Sequence, residues 1–200
     1  MSNVRLSPGN SKMGSIPSVS LPALKTCRVC GCNKECYALK LERLRKNVRA
    51  AYQANLDLLN SDSETYWREV KGAIMMARYF RFHVSGDIPD AEYFENMVRV
   101  AADCPHCEIL CFTKKFNIIN EWIAKGNQLP SNLHIIFSGW VGLEMENPYS
   151  LPEAHVRYRS GDTTARPDAI PCGGNCTKCA VTNGGCWTLK NGQQVVFDKH

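Results

Sequence analysis

Eleven cysteines stand in three tight groups, and each of the two outer groups sets four thiols within a span that one loop can fold around a single centre. Cys27, Cys30, Cys32 and Cys36 read C-x2-C-x-C-x3-C; Cys104, Cys107 and Cys111 lie mid-chain; Cys172, Cys176, Cys179 and Cys186 read C-x3-C-x2-C-x6-C. Each outer group offers four thiols within reach of one centre, the ligand pattern of zinc or an iron–sulfur cluster. Disulfide frameworks of small secreted domains use similar spacings. The opening MSNVRLSPGNSKMG, however, lacks the apolar core of a secretory signal, and no uninterrupted apolar run reaches the roughly 18 residues that span a bilayer. The chain is therefore expected in a reducing cytoplasm, away from membranes, where clustered thiols more often carry metal than pair.

With 200 residues, 44% hydrophobic and 22% charged, the composition predicts one well-filled core with a small appendage. A net charge of +5 permits an anionic partner without demanding one.

Residues 1–20, rich in Ser, Asn, Gly and Pro, read as an N-terminal arm. The core spans 21–162. Leu41, Leu44, Val48, Tyr52, Leu56 and Leu59 recur at the helical period, predicting one long amphipathic helix with the cysteine loop at its N-terminus. Ser61 with Glu64 has the form of a capping box before a second helix. Strands are expected at 80–84, 108–112, 133–137 and 155–159, with helices between them, one starting at Pro89-Asp90. This alternation predicts an α/β fold: a partial (β/α) barrel or open parallel sheet, with a small cysteine-rich C-terminal extension. The strands exit into Ser85-Gly86-Asp87, Thr113-Lys114-Lys115, Ser138-Gly139-Trp140 and Ser160-Gly161-Asp162. In parallel α/β folds ligands bind beyond such ends, so these exits are expected to line one face, although each also makes a competent turn. Residues 163–200 read as a metal-binding tail with a hairpin at Asn191-Gly192, too small to fold without its metal or the main body.

Cys32-Asn-Lys-Glu-Cys36-Tyr37, followed by a long helix and a strand ending Val84-Ser85-Gly86-Asp87, resembles the front half of radical S-adenosylmethionine enzymes. The resemblance implies a 4Fe-4S cluster on Cys32 and Cys36, and Ser85, Gly86 and Asp87 facing the methionine moiety of S-adenosylmethionine. Leu39 occupies the place of that family's third cysteine. Cys27 or Cys30 could replace it, a tail cysteine could fold back to complete the site, or the centre is zinc. More specifically, SLPALKTC, CNKECYALK, FHVSGDIPD, CFTKK and the tail pattern C-x3-C-x2-C, GGCW, VVF-x2-H resemble a phage and prophage family named by a gene-product number, over roughly residues 10–200. That likeness places the chain in a bacterial host or phage-infected cell and implies no activity.

His83 is a candidate general base or ligand, or a satisfied structural histidine. Asp87, after glycine at a strand end, is the preferred functional carboxylate, and a turn former otherwise. Lys114 could meet an anionic substrate, and Ser138 a cofactor at the next exit. Cys104, Cys107 and Cys111 read as small apolar residues along a buried strand. Lys40, Arg43, Arg45, Lys46 and Arg49 read mainly as a solvated face, with phosphate contact as the alternative. Trp140 and Trp187 could stack on a base or simply pack. The expected function is an iron–sulfur protein with a small-molecule site at the strand ends, a radical-enzyme-like catalyst if it is an enzyme. The alternative is a zinc-stabilised phage module that contacts nucleic acid or a host protein. The oligomeric state is left open by the sequence.

Overall fold

The computed structural model describes residues 3–27, 32 and 35–199. Eight strands form one open sheet in the order β1-β2-β3-β4-β5-β6-β8-β7. They are β1 (Leu6–Ser7), β2 (Ser18–Val19), β3 (Tyr79–Phe82), β4 (Glu108–Thr113), β5 (Leu133–Ser138), β6 (Glu153–Arg157), β7 (Ile170–Pro171) and β8 (Gln194–Asp198). Of the neighbouring pairs among these described strands, β1–β2 is antiparallel and the others are parallel. The expected α/β class and parallel sheet are present, and the sheet stays open rather than closing into a barrel.

The helices are α1 (Ala23–Cys27), α2 (Tyr37–Leu44), α3 (Lys46–Ser61), α4 (Ser63–Met75), α5 (Ala91–Asp103), α6 (Phe116–Ala124) and α7 (Cys176–Asn183). Residues alternate between the sheet's two faces, so each strand contributes to two cores. On the first face Phe80, Phe82, Ile109, Cys111, Ile135 and Phe137 meet Tyr66, Val70 and Ile74 of α4, Phe94 and Met97 of α5, and Ile119 of α6. Each fully buried phenylalanine stabilises by about 1.5–3 kcal/mol. Cys104, Cys107 and Cys111 belong to this core, as small apolar residues should. On the second face Leu110, Ile136, Ala154 and Val195 are covered by Met13 and Ile16 of the arm and by Ala180 and Trp187 of the tail.

Several local expectations change. The long helix breaks at Arg45, whose extended backbone (φ −125°, ψ 93°) separates α2 from α3. Asp62, not Ser61, caps α4 by accepting from the Thr65 amide at 3.0 Å. The strand expected at 80–84 ends at Phe82, because His83 takes a left-handed φ of 59°. No hairpin forms at Asn191-Gly192: β8 runs parallel to both β6 and β7, and inserts between them. The tail thus completes the sheet, and the arm supplies β1 and β2 at its other edge. Asp90 caps α5 through the Tyr93 amide at 2.8 Å, one residue after the proline expected to open it. No helix among the described residues is long and apolar enough to cross a membrane.

Candidate functional site

Cys36 is the residue from which α2 starts, so the free amides of Leu39 and Ala38 face its sulfur. Its thiol is pulled down to about 6, chiefly by a hydrogen bond from Cys32; those two amides and the Lys114 ammonium add to this, against the effect of burial. A thiol with that value is largely thiolate at neutral pH. Cys27 ends α1 beside it, while Cys30 falls outside the described residues.

Lys114 leaves the end of β4 and donates from Nζ to Ser138 Oγ at 3.2 Å, its ammonium lying 5.9 Å from the Trp140 ring. Trp140 meets Tyr158 edge-on at 6.1 Å. Tyr158 donates to Glu35 at 3.0 Å, and Glu35 also pairs with Lys199 at 2.8 Å. A cleft of about 260 Å³ opens alongside, lined by Tyr158, Arg159, Ser160 and Lys199. Tyr37, the first residue of α2, donates its hydroxyl to Val84 O just past β3. The exits of β3, β4, β5 and β6 therefore share a rim with the first cysteine loop.

The Ser85-Gly86-Asp87 turn lies beneath that rim and is consumed by the protein itself. Ser85 Oγ donates to Glu42 at 2.7 Å, Ser85 O accepts from the Leu21 amide at 3.1 Å, and the Asp87 amide donates to Thr26 Oγ1 at 3.0 Å. Asp87 accepts from Thr113 Oγ1 at 2.6 Å, the Lys114 amide at 2.9 Å and the Ile88 amide at 2.8 Å. Burial nevertheless pushes its carboxyl above the usual range, against those hydrogen bonds. Gly86 has φ +81° and lies so close to Leu21 O and Thr26 Oγ1 that a Cβ would stand 2.6 and 2.7 Å from them. These residues hold α1 and α2 against the end of the sheet. His83 is buried against Phe82 and Tyr93, with no hydrogen-bond partner for either ring nitrogen among the described residues. Burial, with Arg81 adding, drives its imidazole down to about 3, so it is neutral.

Two groups escaped the sequence reading. Glu42, buried, accepts from the Ala23 amide at 3.0 Å as well as from Ser85, linking α1 and α2 to the β3 exit. Its signal was faint: Ala38 and Glu42, four apart, are the buried residues of α2, whereas Leu44 is 73% exposed. His155, equally buried, joins Glu153 at 3.0 Å and Thr164 at 2.7 Å, and its ring occupies the space a side chain on Gly139 would need.

The tail cysteines lie across the second face of the sheet. Cys172, Cys176 and Cys186 pack against its core there, and the Gly174 amide donates to Cys172 Sγ at 3.4 Å. Asn175 caps α7 through the Lys178 amide at 2.9 Å, and Thr177 Oγ1 donates to Met13 O at 2.8 Å. Burial raises the Cys176 thiol, and takes Cys186 up to about 12; each feels the other thiols of its group. Among the described residues no three His, Cys, Asp or Glu side chains gather as a metal requires. The donor chemistry nonetheless suits a thiol-seeking metal: four thiols in each outer group, one of them, Cys36, lowered to about 6.

The chain belongs to the Gene product 88 family, whose model matches residues 2–164. The matched residues include the four strand exits and the first cysteine group and stop short of the tail cysteines, whereas the sequence likeness was expected to run to the end. No curated protein and no solved structure matches the chain, so the likeness to radical S-adenosylmethionine enzymes gains no support.

Proposed function

We propose that this member of the Gene product 88 family is an iron–sulfur protein, with its cluster held by the first cysteine loop beside a small-molecule site at the strand ends. The observation that carries the reading is Cys36: a thiol at a helix start, hydrogen-bonded to Cys32 and lowered to about 6, on the rim where four strands exit. Cys27, Cys30, Cys32 and Cys36 would hold the cluster, and a cluster bound there supplies one-electron redox chemistry. Cys172, Cys176, Cys179 and Cys186 form a second thiol set; four thiolates on one centre leave no position for substrate, which suits a structural or electron-transferring role. Lys114 and Ser138 present polar atoms to a ligand, and Trp140 an aromatic face. Asp87 acts through Lys114, whose backbone it fixes, and His83 remains a neutral packing residue. S-adenosylmethionine would then meet Lys114, Ser138 and Trp140 rather than the engaged Ser85-Gly86-Asp87 turn. Anaerobic absorption spectra of the wild type and Cys36→Ser test the reading. It expects a broad visible thiolate-to-iron band that the substitution weakens or abolishes, and a colourless wild type overturns it.

A second reading rests on a separate observation. Lys40, Arg43, Arg45, Lys46 and Arg49 are all exposed around the α2–α3 break, and none makes a side-chain hydrogen bond or ion pair among the described residues. A zinc-stabilised module could use that surface on nucleic-acid phosphates. Such binding would fall steeply with salt in a fluorescence anisotropy titration, and affinity independent of salt would exclude it.

A further inference from the structure

Two buried polar atoms, Ser18 Oγ and Arg81 Nε, belong to the second face of the sheet and have no hydrogen-bond partner among the described residues. Ser18 of β2 and Arg81 of β3 are directly paired across their parallel strands, so their side chains emerge on the same face. Val19, Phe80 and Phe82 turn to the opposite core, which fixes that direction. Ser18 is 1% exposed and its Oγ makes no hydrogen bond among the described residues; Arg81 Nε is buried and makes none among them either. The Arg81 guanidinium lies 4.7 Å from the Phe112 ring, and no carboxylate pairs with it among the described residues. Its charge lowers the values of Tyr37 on the rim and of the tail thiols Cys176 and Cys186, against the effect of their burial. Phe112 and Lys114 are two residues apart on β4 and its exit, so the line of the strand runs from the guanidinium toward the Lys114 ammonium.

Buried polar groups are rarely left unpaired, and a guanidinium held against an aromatic ring presents its fork to planar or tetrahedral oxyanions. We propose that this face binds a small oxyanion, the phosphate or carboxylate of a small molecule, between Arg81 and Ser18, with Lys114 at the mouth. The inference deepens the strand-end ligand site and rests on that reading, but it needs no metal. Arg81 and Ser18 grip the anion, Phe112 backs the guanidinium, and the ligand's remaining body reaches the rim between Lys114 and Trp140.

The test is isothermal titration of the full chain with inorganic phosphate and, separately, with acetate, with iron, zinc and sulfide measured on the same preparations. The wild type should bind at least one anion at a single site. Arg81→Met should weaken it at least tenfold, Arg81→Lys and Ser18→Ala less, with metal content unchanged. A preference for phosphate assigns a phosphate ester, and a preference for acetate a carboxylate. No binding of either anion by the wild type overturns the proposal, as does binding that Arg81→Met leaves intact. If Arg81→Met does not fold, unchanged affinity in both Arg81→Lys and Ser18→Ala overturns it. Anion binding without a cluster would sink only the iron–sulfur reading; a cluster without anion binding would sink only this one.

Discussion

Asp87 and Thr113 are joined by a 2.6 Å hydrogen bond, which staples the turn after β3 to the end of β4, while the second carboxylate oxygen takes the Lys114 amide at 2.9 Å. The carboxylate sits where a ligand-binding acid was expected, and it fixes the residue that carries Lys114 instead. Asp87→Asn turns one acceptor into a donor facing the donors that now satisfy it. The expected loss is about 1–3 kcal/mol, read as a lower urea midpoint. An unchanged midpoint would show that the staple contributes nothing.

Gly86→Ala should cost about 2–4 kcal/mol, since it adds left-handed strain at φ +81° and pushes a Cβ into Leu21 O and Thr26 Oγ1. Gly72→Ala, inside α4 with nothing within 4 Å of the new Cβ, should stabilise by about 0.5–1 kcal/mol. Equal midpoints for the two variants would mean that α1 does not close over the turn.

His83 supplies a pH dependence whose sign is fixed. Its folded value of about 3 lies below the ordinary 6.5, so the unfolded chain binds the extra proton. The stability it contributes is fully present above that ordinary value and is lost as pH falls toward about 3. His83→Asn, whose residue tolerates the left-handed φ of 59°, should flatten that part of the stability–pH curve, measured by urea melts from neutral to acid. A curve of unchanged slope would mean that the ring is already protonated in the folded state.

The layout of the main sheet was legible because buried parallel strands and amphipathic helices leave strong periodic signals: β4, β5 and the start of α5 lie within a residue or two of their expected places. The missed features depend on long-range contacts. Nothing local tells that Leu44 faces solvent while Glu42 faces Ser85, or that Arg45 breaks a helix whose apolar period continues through it. Asn191-Gly192 has hairpin chemistry, yet the strand after it pairs in parallel with a segment some forty residues upstream, a choice made by the sheet edge rather than by the turn. At the site, the convergence of strand exits on the cysteine loop was foreseeable from topology. The engagement of Ser85, Gly86 and Asp87 was not, because their partners Leu21, Thr26 and Glu42 lie far from them in sequence.

Thiol reactivity should sort the cysteines. In metal-stripped, reduced protein at neutral pH, Cys36 should be alkylated by iodoacetamide well before Cys107, held at about 12, or Cys111, pushed well above the ordinary thiol value by burial. Peptide mass spectrometry over a time course reads the order, and labelling of Cys107 or Cys111 ahead of Cys36 would contradict the electrostatics of the rim.

The most direct measurement is the amount of iron, zinc and acid-labile sulfide per chain after anaerobic purification. The iron–sulfur reading predicts iron and sulfide in equal amounts, roughly four of each for every 4Fe-4S cluster. Zinc without sulfide, or no metal at all, would contradict it.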